Sequence, residues 1–349
     1  MTGLAGLFLT DLIHLHVHPI APLMVYYRAI LLLVTLLLSL SLEAAMFDRH
    51  ARTLVTEDNF NNKQVWTEVA KTEDSSIKAL LRLLERSKAG KNILRMAERK
   101  ALSQGLLLSD ILFAGPGSIC DTTLVRRFSK NNPGRISYET RSKIYINRNL
   151  SVVDAVLDIA HELTHYSLRT QFNPYGNSFD LSAFVHSTIE GQGGEVDAYM
   201  SECRVYQELF PKETRANNNC SHIIDPQTGV FSRERTVRLF YQMGSDLEEF
   251  NHELRTHNIS KEDFPDLQAG PPVFISSDYG VPYPVAAMRE YASIMERVCQ
   301  NDQKRVAIIE DKMGKGRNLA SLSGHETGMS DDLDSRSDLE KKCQRFLKE

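Results

Sequence analysis

No two of the chain's five cysteines stand in a CxxC spacing, which excludes the common cysteine-built zinc sites. No uninterrupted run of about 20 apolar residues, the usual length of a membrane-spanning helix, occurs. Lys and Arg (41) nearly balance Asp and Glu (45), giving a formal net charge of −4. With no extended basic stripe, there is no electrostatic footprint for nucleic acid. No internal repeat is present, and one tryptophan in 349 residues leaves no aromatic array of the sugar-binding kind. What remains is globular chain, long enough for one large or two smaller domains.

The N-terminal end departs from that character. Ala29 to Leu42 is an apolar run of 14 residues, with Arg28 before it and Glu43-Ala44-Ala45 after it. That length suits the central region of a signal peptide. Small residues follow at acceptable cleavage positions, Leu42-Glu43-Ala44 and Glu43-Ala44-Ala45. Residues 1–45 are therefore expected to be a signal peptide, with translation starting at Met24 as the simplest account of the apolar segment upstream. An uncleaved membrane anchor is the alternative. No cysteine lies near the cleavage site, so a lipoprotein anchor is not indicated. His14, His16 and His18 alternate within the segment to be removed and are set aside. The expected location is secreted or periplasmic, where disulfides persist. Cys203 with Cys220 would clip a loop and Cys299 with Cys343 would tether the C-terminal tail, but spacing alone leaves the pairing open. Buried, reduced cysteines are the other reading.

Against these absences stands one sharp motif, His161-Glu162-Leu163-Thr164-His165. Residues i and i+4 of an α-helix lie one turn apart on one face, so both imidazoles can bind one zinc ion. The glutamate beside the first histidine would then sit next to a zinc-activated water, as a general base. Apolar residues at 152, 153, 156, 157, 159, 160 and 163 predict a helix here, with Ser151 as its cap.

Three protein ligands are usual for a catalytic zinc. The extension HExxHxxGxxH fails, because Leu168 and Gln171 occupy its last two positions. Glu195 is the leading candidate for the third ligand. It opens a helix expected over 195–210, after the close-approach glycines Gly193 and Gly194, and Ala198 would let that helix pack tightly on the first. Rivals are His186, Glu190 and Glu202, the last on the same face as Glu195 but two turns on. Glu195 could equally be an acidic residue favouring its own helix dipole.

His161-Glu162-x-x-His165 followed by Gly194-Glu195-Val196-Asp197-Ala198 resembles the gluzincin arrangement of zinc metallopeptidases, over roughly residues 140–210. The resemblance implies a zincin-like catalytic domain with one zinc per chain. It makes His161, His165 and Glu195 the ligands and Glu162 the base. The thermolysin-like form carries an aspartate four residues after the ligand glutamate, supporting a zinc histidine; here that position is Tyr199. Asp158 is the candidate replacement, since Asp197 points the wrong way on its helix.

The expected fold class is α+β, a small mixed sheet with the HExxH helix laid across it and a predominantly helical remainder over 46–311. Helices are expected over 63–71, 75–87 and 91–103, with Gly90 and Gly105 as punctuation. Short strands are expected over 122–128, 135–139 and 143–147, with Ile144-Tyr145-Ile146 a possible edge. A loop is expected over 170–185, one helix over 232–257 and a last over 285–311. The polar segment 312–349 reads as a flexible tail, held at most at Cys343 and Phe346. No cysteine lies in 46–115 to act as a zinc-blocking switch, so those helices are assigned to the catalytic domain. Tyr279, Tyr283, His252 and His257 are candidates for stabilising an oxyanion.

The function expected from the sequence is an exported zinc-dependent peptidase acting on a peptide or protein substrate. A non-catalytic binding protein with a structural metal, closed by His186 or Glu190, is the alternative.

Overall fold

The computed structural model describes residues 64–128, 136–176, 179–211, 219–256, 267–317 and 343. All of them belong to one compact unit, Thr53–Glu349. The signal-peptide segment, His14, His16, His18, His257 and Phe346 lie outside the described residues. The architecture is mixed α+β and predominantly helical, with one three-stranded sheet.

The first layer is a helical hairpin, α1 (Glu73–Leu84) and α2 (Lys88–Ser103). Thr72 caps α1 by accepting from the Ser75 N–H, and Ser87 caps α2 by accepting from the Gly90 N–H. Both helices turn an apolar stripe inward, with Leu80, Leu84, Ala97 and Ala101 at most 1% exposed. The helix expected over 63–71 is, in its described part, a single 3₁₀ turn, Trp66–Glu68. Tertiary contacts hold this turn instead of helical periodicity. Trp66 is fully buried, and its indole N–H donates to the Asn147 carbonyl at 2.7 Å.

The sheet comprises β1 (Leu112–Gly115), β2 (Ile119–Phe128) and β3 (Ile136–Asn147) in the order β1-β3-β2. β1 runs parallel to β3, with Leu112 opposite Ile144; β2 runs antiparallel, with Cys120 opposite Ile144. Two expectations are corrected. The strands expected over 135–139 and 143–147 are, in their described part, one continuous strand, Ile136–Asn147, because Thr140-Arg141-Ser142 contains no residue that breaks a ladder and Thr122 Oγ1 lies 3.0 Å from Ser142 Oγ. Ile144-Tyr145-Ile146 is central rather than an edge, since β1, only four residues long, covers its other side. Ile144 and Ile146 are fully buried as a result. Among the described residues β1 and β2 each pair with β3 alone, so both are outer strands, and the longer open edge belongs to β2.

The HExxH helix, α3 (Val152–Leu168), runs through the middle of the molecule. Ser151 caps it by accepting from the Asp154 N–H, as the sequence predicts. Its apolar residues contact α1 and α2, the sheet and a later helix, α5 (Glu195–Leu209). Val153, Val156, Ile159 and Leu163 are fully buried, each contributing about 1.5–3 kcal/mol on the transfer scale.

The 170–185 loop is shorter than expected. Asp180 accepts from the Ala183 N–H and starts α4 (Leu181–Ile189). The helix expected over 232–257 is two, α6 (Arg233–Phe240) and α7 (Asp246–Thr256), broken where Gly244 takes a positive φ of 58°. The last helix, α8 (Tyr283–Arg317), runs past residue 312, where a polar tail was expected to begin. Cys203 is bonded to Cys220 and Cys299 to Cys343, which decides the pairing the spacing left open. Cys120 is the free cysteine.

Gly90 does not end a helix; it sits in the first turn of α2. A Cβ there would lie 2.3 Å from the Leu84 carbonyl oxygen. Gly90→Ala, a change that stabilises an ordinary exposed helix, should here cost about 1–3 kcal/mol through overpacking. A lowered denaturation midpoint in urea, with unchanged slope, is the expected outcome.

Candidate metal centre

His161 and His165 share one face of α3, their ring centroids 4.7 Å apart. The third donor comes from the start of α5. His161 Nε2 lies 3.4 Å from one Glu195 carboxylate oxygen, and His165 Nε2 lies 3.4 Å from the other. One ligand atom from each residue falls within 4.8 Å of the other two. This buried His-His-Glu group could hold a metal ion.

The turn before α5 makes that convergence possible. Gly193 has a φ of +72°, and a Cβ on it would lie 2.4 Å from the Arg169 backbone nitrogen. A Cβ on Gly194 would meet the carbonyl oxygens of Ser187, Thr188 and Ile189 within 3 Å. Both positions therefore exclude any side chain, and α5 can begin against the C-terminal end of α3. Ala198, fully buried, fits the close packing of these two helices.

Each imidazole is also gripped from behind. His165 Nδ1 lies 2.8 Å from the Gly193 carbonyl, so it carries the proton and turns Nε2 toward the cluster. His161 Nδ1 lies 3.3 Å from a Glu202 carboxylate oxygen. Glu202 is thus a support for a histidine, not a rival ligand. It sits seven residues after Glu195, a same-face spacing readable in the sequence, though only the fold shows which partner it meets. Asp158 does not take that supporting place, since both Nδ1 atoms have other partners; its charge acts on Glu162 instead. Asp197 accepts from the Gly193 N–H at 3.0 Å and so braces the turn that holds His165. Tyr199 packs among Phe240 and Phe274.

The other rivals face elsewhere. His186 pairs with Glu190 at 2.9 Å on a largely exposed side chain, and Glu190 also accepts from the Tyr241 hydroxyl. Arg169 was not foreseen. It lies four residues after His165, and its Nη2 donates to the Thr188 carbonyl and to Glu195.

Electrostatics follow from this crowding. Burial opposes charge on Glu195, but His165 and the hydrogen bonds to both histidines hold its carboxyl well below the ordinary carboxylate value. Burial works against a charged His161 too, yet Glu195 and Glu202 raise it well above 6.5. His165 is lowered, chiefly by burial. Glu162 is pushed up to about 8, by burial first and by the charges of Asp158 and Glu195, against the pull of His161 and a hydrogen bond from the Cys120 backbone. The Cys120 thiol, pushed up to about 12 by burial and by Glu162, stays neutral and is no nucleophile.

Glu162, the two histidines and Glu195 open onto a cavity of about 200 Å³. Tyr279, Tyr283, Asp278 and Glu290 line it as well. His252, exposed on α7, does not. Burial and the surrounding carboxylates raise the Tyr283 phenol well above its ordinary value, so it remains a donor. No family model, curated protein or solved structure matches the chain.

Two outcomes are expected from metal titrations. Glu195→Ala should abolish tight binding, and Glu202→Gln should weaken it about 10-fold with the fold intact, because outer partners of ligand histidines carry that much affinity. The second outcome is a pH dependence. A histidine raised in the folded, metal-free protein holds its proton above pH 6.5 and surrenders it only as pH climbs through the raised value. Metal must displace that proton, so apparent affinity should rise about tenfold per pH unit between pH 6 and 7.5. Affinity independent of pH would remove His161 from the ligand set.

Proposed function

We propose that the protein is an exported zinc-dependent peptidase, with His161, His165 and Glu195 as zinc ligands, Glu162 as general base and a zincin-like catalytic domain around them. The observation that carries this reading is the position of Glu162. It shares the cavity with the three ligands and accepts a hydrogen bond from Cys120, at the open edge of β2. A metal site that only stabilised the fold would have no use for a buried carboxylate beside it. The donor set, two imidazoles and one carboxylate, suits a catalytic zinc.

Zinc bound there would supply Lewis-acid polarisation of the scissile carbonyl and acidify a water molecule. The chain's own groups do the rest. Glu162 takes a proton from the attacking water and passes it to the leaving amine. Tyr283 is placed to donate its phenolic proton to the oxygen on which negative charge develops. Arg169 and the Gly193 carbonyl keep Glu195 and His165 from turning away. The open backbone edge of β2 offers N–H and C=O groups on which a peptide can lie as an added strand.

Two disulfides and the apolar run before residue 43 support export. Residues 1–45 remain proposed as a cleaved signal peptide, with a membrane anchor as the alternative. Among the described residues no helix is long and apolar enough to cross a membrane. The rival reading, a binding protein with a closed metal site, loses its proposed fourth ligands, because His186 and Glu190 engage each other.

Glu162→Gln keeps the shape and removes the base. With zinc content unchanged, peptide hydrolysis should fall about 10²–10⁴-fold, the usual contribution of general acid–base catalysis. Equal turnover by the variant would end the peptidase reading.

A further inference from the structure

A second cavity, of about 360 Å³, adjoins the metal cleft. Ile119, Cys120, His165, Arg169, Thr188 and Glu290 line both, so the two cavities share a wall beside the ligands. We propose that this larger cavity is the specificity pocket of the cleft, taking a large apolar or aromatic side chain from the peptide residue next to the cleaved bond. The assignment rests on the peptidase reading and names the substrate class for the same site.

Three features of the walls lead there. First, the pocket runs along the strand edge that faces Glu162. Cys120 donates its N–H to that carboxylate, and backbone groups two and four residues on, at Thr122 and Leu124, point the same way. A peptide laid on this edge would pass from the metal directly over the pocket, dropping alternate side chains into it.

Second, the floor is apolar. Phe172, Phe179 and Phe184 pack mutually with ring centroids 5.5–5.8 Å apart, and Tyr291 stacks on Phe179 at 5.0 Å. Ile294 and Val298 of α8 add aliphatic surface opposite β2. Beyond Leu124 the strand is tied to α8: Arg126 forms a buried ion pair with Asp302 and lies over the Tyr175 ring at 4.2 Å. Asn301 bonds the Tyr175 hydroxyl, and this knot ends the pocket on that side.

Third, the charged groups on the walls are of both signs, Lys100, Arg169 and Arg297 with Asp121 and Glu290, so the pocket is not built for a charge of one sign. Arg169 is spent on Thr188 and Glu195. Burial raises the Glu290 carboxyl above its ordinary value, with Arg169 and Arg297 pulling against it. Lys100 lies over the Tyr166 ring. A charged side chain would have to give up its water to enter against the apolar floor.

The test is a randomised peptide library digested by the zinc-loaded full-length protein, with cleavage sites read by mass spectrometry, followed by kcat/KM on individual peptides. Cleavage beside Phe, Tyr, Leu or Met should exceed cleavage beside Gly, Asp or Lys by about 10-fold or more, the discrimination an apolar pocket supplies. Ile294→Trp, which fills the cavity, should lower the ratio of kcat/KM for a Phe peptide over its Ala counterpart by about 10-fold. Should that variant not fold, Ile294→Ala enlarges the cavity and should shift preference toward Trp. A profile without side-chain preference, a preference for charged residues, or ratios unmoved in a folded Ile294 variant would overturn the pocket assignment while leaving the peptidase intact. No cleavage of any library peptide by protein that retains zinc would overturn the peptidase reading, and the pocket with it.

Discussion

The approach of two helices across a glycine turn is the constraint on which the centre depends. α3 carries His161, Glu162 and His165 whatever it packs against, but two histidines on one helix face do not make a three-donor group. The site exists because Gly193 and Gly194 let the chain fold back against the end of α3 and start α5 within reach of both imidazoles. The same turn supplies the carbonyl that orients His165, and Asp197 braces it from within α5. A side chain at Gly193 would collide with the backbone at Arg169 and separate ligand from ligand in one step.

Crowding these groups together has an electrostatic cost that the protein meets locally. Glu162, Glu195 and Glu202 converge on two histidines inside a buried cleft, with Arg169 beside them. In the metal-free protein His161 carries part of the balancing charge, as its raised titration shows. A divalent cation would take over that duty and release the proton, so the centre is built to be more comfortable filled than empty. The same charge would favour the anionic form of Glu162, the form a general base must have before it can accept a proton.

The rest of the fold serves the two walls of the cleft. The sheet is small, but the short β1 covers β3, and the start of β2 lines the cavity that holds His161, His165 and Glu195. α8 forms the opposite wall, joined to β2 by Arg126 and Asp302 and fixed to the C-terminal segment through Cys299 and Cys343. α2 is tied to the far end of α5 by Glu208, which accepts from Ser87 and from the Ala89 N–H at its N-terminus. The helix that delivers Glu195 is thereby held at both ends.

The local part of this arrangement was legible in the sequence. HExxH specifies a shared helical face because the i, i+4 geometry involves only neighbours, and Ser151 and the apolar periodicity mark where the helix starts. The mixed sheet could be anticipated, and Glu195 led its rivals through the glycines before it. The rest required partners distant in the chain. Glu202 supports His161 across 41 residues, a pairing that no spacing rule distinguishes from ligation. β1 is hidden in four residues that read as the end of a helical region, so nothing in the sequence covers the second side of Ile144-Tyr145-Ile146. His186 and Glu190 were plausible ligands until the fold paired them with each other. Sequence alone determined which chemistry the chain can attempt, because that chemistry lies within one helical turn. Tertiary structure decided which carboxylate completes the centre and which strand faces it, because both depend on surfaces that meet only after the chain has folded.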